Sequence, residues 1–283
     1  MENEQKELPK KETLSVQDLV KLASEKKLIG FFPVNNDDYH AGPGISKSDL
    51  DEIRKSPAHL ASKKLAEKPK TAALLFGSQF HTYVLEPHLF EWEVLEGVKT
   101  TKKEGKISEP DMRSIERMKT NIMKNKYAKE CLRGIREQAC YWVDPTTGIL
   151  CKCKPDIMAH HKGLGIDLKS STNNDVLKFQ WVAKDRRYDV QGCFYLDGVF
   201  YASQQSGEIL FEGVLDSFLF IVCEKEPPHS LKTMLISTET LKRARAKYKE
   251  DLEKYKRFFG LDPMPNWNRE LPGYEEKLES LDI

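Results

Sequence analysis

The stretch 149-ILCKCKPDIMAHHKGLGIDLKS-170 decides how the chain folds. It reads as two strands, Ile149–Ala159 and Leu164–Ser170, joined by the turn His160-His161-Lys162-Gly163. With the turn centred on His161-Lys162, position 160 faces 163 and Asp156 faces Asp167. Directly opposed residues of an antiparallel pair hold their Cβ atoms about 4.5–5.5 Å apart. Two carboxylates so placed repel unless a cation sits between them. Lys169 is two positions beyond Asp167 and therefore shares its face.

The preceding hairpin repeats the arrangement. Ile135–Val143 reads as a third strand, tied to Ile149 by Asp144-Pro145-Thr146-Thr147-Gly148. If Pro145 faces Gly148, Glu137 falls opposite Asp156, and Glu137, Asp156 and Asp167 form one row across three strands. A slip of one residue would break that row, and carboxylates merely solvated at a sheet surface are the plainer reading of the same residues. On a sheet otherwise built from Ile, Val, Leu and Cys, however, an acidic row is costly without a metal. Oxygen ligands select hard cations, which makes Mg²⁺, or Mn²⁺ in its place, the expected ion rather than zinc. Such an ion beside Lys169 suits phosphodiester hydrolysis.

Two helical features could complete the site. Gln191 and Tyr195 are four apart and share a helix face. His81 lies on the stripe Leu74, Ser78, His81, Leu85, where a histidine is more often a hydrogen-bonded core residue.

Around this centre the sequence predicts an α+β domain, helices first and then a mixed β-sheet flanked by helices. Residues 1–38 read as a charged arm and a helix, 39–260 as the main domain, and 261–283 as an irregular, proline-containing tail. Helix starts are signalled by Ser15, by Ser46 with Asp49, by Ser56-Pro57 and by Ser108, the last heading a charged helix to about Lys129. Thr71 to Leu85 is a mostly apolar helix. Beyond Ser170 the expectations are helices at about 175–187 and 188–204, strands at about 208–223 and 231–237, and a long helix from Thr238 to Phe258.

Composition bounds the function more loosely. The 283 residues carry a net charge of +1, a poor guide to nucleic-acid binding when acids gather at a metal site and bases along a groove. Basic runs occur at Lys63, Lys64, Lys68 and Lys70; at Lys99, Lys102, Lys103 and Lys106; at Lys184, Arg186 and Arg187; and at Lys242, Arg243, Arg245 and Lys247. Singly each reads as a solvated face, and together they are candidates for a DNA path. No stretch suits a membrane span or an export signal, and six unpaired cysteines fit reduced thiols in a cytoplasmic protein.

Several segments in order, YHAGPGISKSDLDEIRKSPAHL (39–60), GSQFHTYVLEPHLF (77–90), REQACYWVDPTTGILCKCKPD (136–156), GIDLKSS (165–171) and YDVQGCFYLDG (188–198), resemble the exonuclease VIII family of phage-type recombination nucleases, within the PD-(D/E)XK superfamily. The resemblance implies a restriction-endonuclease-like α/β core. It implies metal ligation by Asp156, Asp167, His81, Glu137 and the carbonyl of Leu168, with Lys169 catalytic and Gln191 and Tyr195 assisting. It further implies Mg²⁺-dependent 5′→3′ digestion of linear double-stranded DNA ends, a homo-oligomeric ring and a single-strand annealing protein as partner.

Three rivals are weighed beside it. An iron–sulfur nuclease of the same superfamily needs a C-terminal cysteine cluster, and the last 60 or so residues hold no cysteine. Cys151 and Cys153 alternate with Lys152 and Lys154, as buried packing positions would. A structure-specific or restriction-type endonuclease would share the chemistry and differ in the DNA path. A non-catalytic DNA-binding module predicts a broken acid–lysine set, whereas Asp156, Asp167 and Lys169 are all present.

Overall fold

Side-chain caps start the helices where serine, threonine and asparagine stand before apolar periodicity. The computed structural model describes residues 12–66, 71–97, 105–211 and 213–272. In chain order the elements are α1 (Val16–Ser24), β1 (Gly30–Phe32), α2 (Asn36–Ala41), α3 (Lys47–Lys55), α4 (Pro57–Leu65), α5 (Ala72–Leu85), β2 (Glu93–Leu95), β3 (Lys106–Ser108), α6 (Glu109–Lys124), α7 (Lys126–Cys131), β4 (Ile135–Arg136), β5 (Ala139–Val143), β6 (Leu150–Cys153), β7 (Ile157–Ala159), β8 (Leu164–Ser171), α8 (Val176–Asp185), α9 (Tyr188–Ser206), β9 (Ser217–Glu224), β10 (Leu231–Leu235) and α10 (Thr238–Phe259). Ser15 and Ser46 close capping boxes with Asp18 and Asp49, and Ser56 caps α4 with Pro57 in its first turn.

The predicted α+β architecture with a mixed sheet forms. The five-stranded sheet runs β10-β9-β8-β7-β4, with β8 and β9 parallel and the other pairs antiparallel. Strands β1, β5 and β6 form a second, antiparallel sheet, and β2 pairs with β3.

The large sheet is covered on both faces, and alternation along β9 sorts its side chains between two cores. Leu219, Ile221 and Cys223 join Phe80, Ile115, Met118 and Ile122 of α5 and α6. Phe218, Phe220 and Val222 join Phe194 of α9 and Leu252 and Tyr255 of α10. Along β8, Ile166 and Leu168 belong to the α5–α6 side. Asp167 and Lys169 alternate with them and so face α9. Helix α9 reaches close to the sheets through small residues: a Cβ added to Gly198 would lie 2.6 Å from the Trp142 ring.

The strands are shorter than predicted. Ile135–Val143 is broken into β4 and β5, and Ile149–Ala159 into β6 and β7. Both breaks fall at one level of the ribbon, where Glu137 takes a left-handed φ of 49° and Pro155 has no amide hydrogen to give to a ladder. The inferred register survives on both sides of the break, with Cys140 opposite Cys153 and Ile135 opposite Met158. The kinked ribbon thereby passes from the small sheet to the large one. The second hairpin pairs Ile157 with Ile166 and Ala159 with Leu164, as inferred from its turn.

Two other expectations are corrected. The described residues of 208–216 form no strand, and β9 starts at Ser217. The helix from Ser108 ends at Lys124, where the Asn125 side chain accepts from the Ala128 amide and starts α7. The irregular segment 261–272 packs back onto the α3–α10 side of the core through Trp267 and Leu271.

Candidate active site

The break in the ribbon leaves Asp156 between β6 and β7, turned toward the end of α5. Its Oδ2 accepts from the Leu168 amide at 2.7 Å and lies 3.4 Å from His81 Nδ1. The Glu137 amide donates to the Asp156 carbonyl at 3.2 Å. Ligand atoms of His81, Glu137 and Asp156 all lie within 4.8 Å of one another. The Leu168 carbonyl faces the His81 imidazole as a backbone acceptor.

Asp167 stands beside this cluster, held from the α9 side. Its Oδ1 accepts from Gln191 Nε2, and its Oδ2 lies 2.7 Å from Lys169 Nζ. Asp167 Oδ2 is buried against the Lys169 ammonium. The expected single row is thus divided: Glu137 and Asp156 meet His81, while Lys169 and Gln191 draw Asp167 to their side. Lys169 Nζ is 3.4 Å from Gln191 Oε1 and 4.5 Å from the Tyr188 ring centre. Tyr195 occupies the same face of α9 as Gln191, and burial, then Asp167, with Asp156 and Glu137 adding, raises its phenol well above the usual value.

The electrostatics are those of a cluster lacking positive charge. Burial, then the Asp156 carboxylate, pushes Glu137 up to about 7. Burial and the neighbouring Asp167 raise Asp156 well above the carboxylate range. Burial lowers His81, against the pull of Asp167 and Glu137, and leaves a neutral imidazole. Burial alone would lower Lys169, but Asp167, Tyr188 and Asp156 more than offset it and keep the amine charged.

These donors fit a hard divalent cation. Carboxylate oxygens predominate, and one neutral imidazole joins them. Glu137, Asp156, His81 and Asp167, with the Leu168 carbonyl, are the groups that could hold it.

Some residues of the site were not singled out from sequence. Lys154 Nζ lies 3.1 Å from Glu137 Oε2 and 2.8 Å from Asn36 Oδ1. Strand alternation pointed Lys152 and Lys154 outward, opposite the buried Cys151 and Cys153. Instead Lys152 is buried, donating to the carbonyls of Tyr39 and Gly42 at 2.6 Å each. Lys152 does lie on the face of β6 opposite Cys151 and Cys153, but α2 covers that face, and Asn36 of α2 meets Lys154. Tyr188, directly beyond the basic run, carries no sequence signal for its position over Lys169.

Several described residues of the basic runs are held in ion pairs. Lys63 and Lys64 lie 3.0 and 2.9 Å from the carboxylate of buried Asp49. Arg187 meets Asp251 at 2.5 Å, Arg245 meets Asp197 at 2.6 Å, Lys247 meets Asp189 at 2.6 Å and Lys106 meets Glu93 at 2.7 Å. In the absence of DNA these side chains therefore also serve the fold. Lys68, Lys70, Lys99, Lys102 and Lys103 lie outside the described residues.

A divided acidic cluster with an adjacent lysine, set where a kinked ribbon meets a mixed sheet, defines a PD-(D/E)XK-type domain. Residues 46–266 match the family described as a PDDEXK-like domain of unknown function (DUF3799), and the chain belongs to that family. Its structure is similar to the crystal structure of a Eubacterium rectale protein provisionally named an exonuclease, with a TM-score of 0.55 and 16% sequence identity over 88% of this chain and 93% of that one. That likeness is one of fold. No curated protein sequence matches significantly. Among the described residues no helix is long and apolar enough to cross a membrane.

Proposed function

We propose that the chain is a metal-dependent deoxyribonuclease acting by phosphodiester hydrolysis. The observation that carries this reading is the placement of His81, Glu137 and Asp156 within 4.8 Å of one another, with Asp167 and Lys169 alongside. A Mg²⁺ or Mn²⁺ ion, when bound, supplies positive charge against the phosphodiester and acidifies water. Asp156, Asp167, Glu137, His81 and the Leu168 carbonyl would hold it. Lys169, kept charged by Asp167, places a compact cation beside the attacking water or the phosphate. Gln191 fixes Asp167 through its amide, and Tyr195 orients substrate from the next turn of α9.

The finer reading follows the resemblance to the exonuclease VIII family. In it, the enzyme digests linear double-stranded DNA from its ends in the 5′→3′ direction, as a cytoplasmic homo-oligomeric ring working with a single-strand annealing protein. Membership of a PDDEXK-like family and a fold neighbour named as an exonuclease support the nuclease class.

The test is digestion of 5′-labelled, 3′-labelled and covalently closed duplexes with Mg²⁺, Mn²⁺ or EDTA. Linear duplexes should be shortened from the 5′ end only with metal, and Asp167→Ala should abolish digestion while retaining DNA binding. Cutting of closed circles would make the enzyme an endonuclease of the same fold. No cleavage with either ion would leave a DNA-binding module.

A further inference from the structure

Helix α8 leaves an apolar face in solvent beside the proposed site. Leu177 and Trp181, one turn apart, are 69% and 72% exposed, and Val176 and Val182 flank them. Its opposite face is anchored by buried Phe179, whose ring lies 5.9 Å from Tyr188. Tyr188 in turn lies 4.5 Å from Lys169 Nζ. Strand β8 therefore delivers Lys169, and α8, the next helix in the chain, rests on the aromatic wall that covers it.

Exposed apolar residues this concentrated mark a contact surface rather than chance. The charges around it indicate the occupant. Lys184 Nζ sits 5.7 Å from the Trp181 ring centre, and no carboxylate pairs with Lys178 or Lys184 among the described residues. Cations interleaved with an exposed indole suit a phosphate-bearing, flat partner. The core of a protein interface excludes such charges, and one face of a ten-residue helix falls well short of the roughly 800 Å² that a stable protein contact covers on each side.

We propose that the Leu177–Trp181 face of α8 receives the terminal base pair of duplex DNA, the indole stacking on the end while the strand to be cut passes to Lys169. This rests on the nuclease reading. Stacking is indifferent to sequence, because every base offers a π-face. Opening the last pair against an apolar wedge would also free one strand for the site.

Two measurements test it. The first is single-turnover digestion with Mg²⁺ of a blunt duplex and of the same duplex with a few unpaired terminal bases. Trp181→Ala should slow blunt ends roughly tenfold, the size expected for one lost base stack, while the frayed substrate recovers most of the rate and Trp181→Phe restores blunt-end digestion. Equal rates for wild type and Trp181→Ala on both substrates, or equal slowing on both, would overturn the proposal. The second measurement needs no cleavage: tryptophan emission in EDTA, wild type minus Trp181→Phe, titrated with a linear duplex and a dumbbell closed at both ends. Quenching by the linear duplex alone supports end stacking. Quenching by neither, or loss of self-association in Trp181→Ala by sedimentation, overturns it. A wild type that digests nothing would sink the nuclease reading, and the emission titration would still decide the role of Trp181.

Discussion

Glu137→Gln should stabilise the metal-free protein, and only at high pH. The Glu137 side chain is 12% exposed and is raised from 4.5 to about 7 by burial and by Asp156. An unfolded chain releases this proton near the ordinary value, so between about 4.5 and about 7 the folded chain holds more protons than the unfolded one. The contribution to stability is whole below that window and is lost as pH rises through it. At about 1.36 kcal/mol per pH unit, the loss reaches about 3 kcal/mol once Glu137 is ionised in the fold. Glutamine keeps the shape and an acceptor for Lys154 but carries no charge. It should leave stability nearly unchanged near about pH 4 and raise it by up to about 3 kcal/mol near about pH 8.5. For a chain of this size that is a Tm increase of roughly 6–10 °C.

Thermal and urea unfolding in EDTA at both pH values measure the effect. Addition of Mg²⁺ or Mn²⁺ at high pH should then raise the wild-type Tm, because a ligand of the native state stabilises by mass action. The glutamine variant should gain less. A glutamine-for-glutamate difference that does not grow with pH would refute the view that Glu137 sits in an acid-crowded pocket short of positive charge.

Other outcomes follow from the same geometry. Lys169→Met should lower the cleavage rate by roughly 10²–10³-fold, the usual cost of removing one electrostatic group from a reacting centre, and Lys169→Arg should not restore it, since a planar guanidinium cannot replace an ammonium packed against Tyr188; single-turnover rates on labelled duplex decide both. Lys152→Met should destabilise by about 2–4 kcal/mol in urea, because the carbonyls of Tyr39 and Gly42 lose a charged donor in a buried setting. Gly198→Ala should cost about 1–3 kcal/mol through overpacking against Trp142 and the Cys153 sulfur, with no pH dependence in its unfolding curves.

How far the site was legible in the sequence depends on which interaction sets each part. Hairpin register came from turn symmetry, a local property, and Ile157 pairs with Ile166 and Cys140 with Cys153 as the turns require. Helix starts were equally local, since Ser15, Ser46, Ser56 and Ser108 act on amides within three residues. Alternation put Lys152 on the face opposite Cys151 and Cys153, as observed, but could not show that this face is covered too. The cover is α2, more than a hundred residues earlier in the chain. The ion pairs made by the basic runs were illegible for a related reason. Asp49, Asp197 and Asp251 are scattered through the sequence, and only tertiary packing reveals them as partners.

Those ion pairs bear on how the protein could grip DNA. Arg187, Arg245 and Lys247 are already matched to acids, and each pair must open before its cation can neutralise a phosphate. Affinity for duplex should then depend on salt less steeply than the lysine and arginine content suggests. Each phosphate contact contributes a slope of about −0.9 in log K against log salt. Four runs acting together on the backbone would give a slope steeper than about −6, whereas contacts limited to the site and the rim of α8 would hold it shallower than about −4. Binding of a catalytically dead Asp167→Asn variant to a linear duplex across a salt series measures that slope directly. A steep value would return the paired arginines and lysines to the DNA path and would mean that their ion pairs open when the duplex binds.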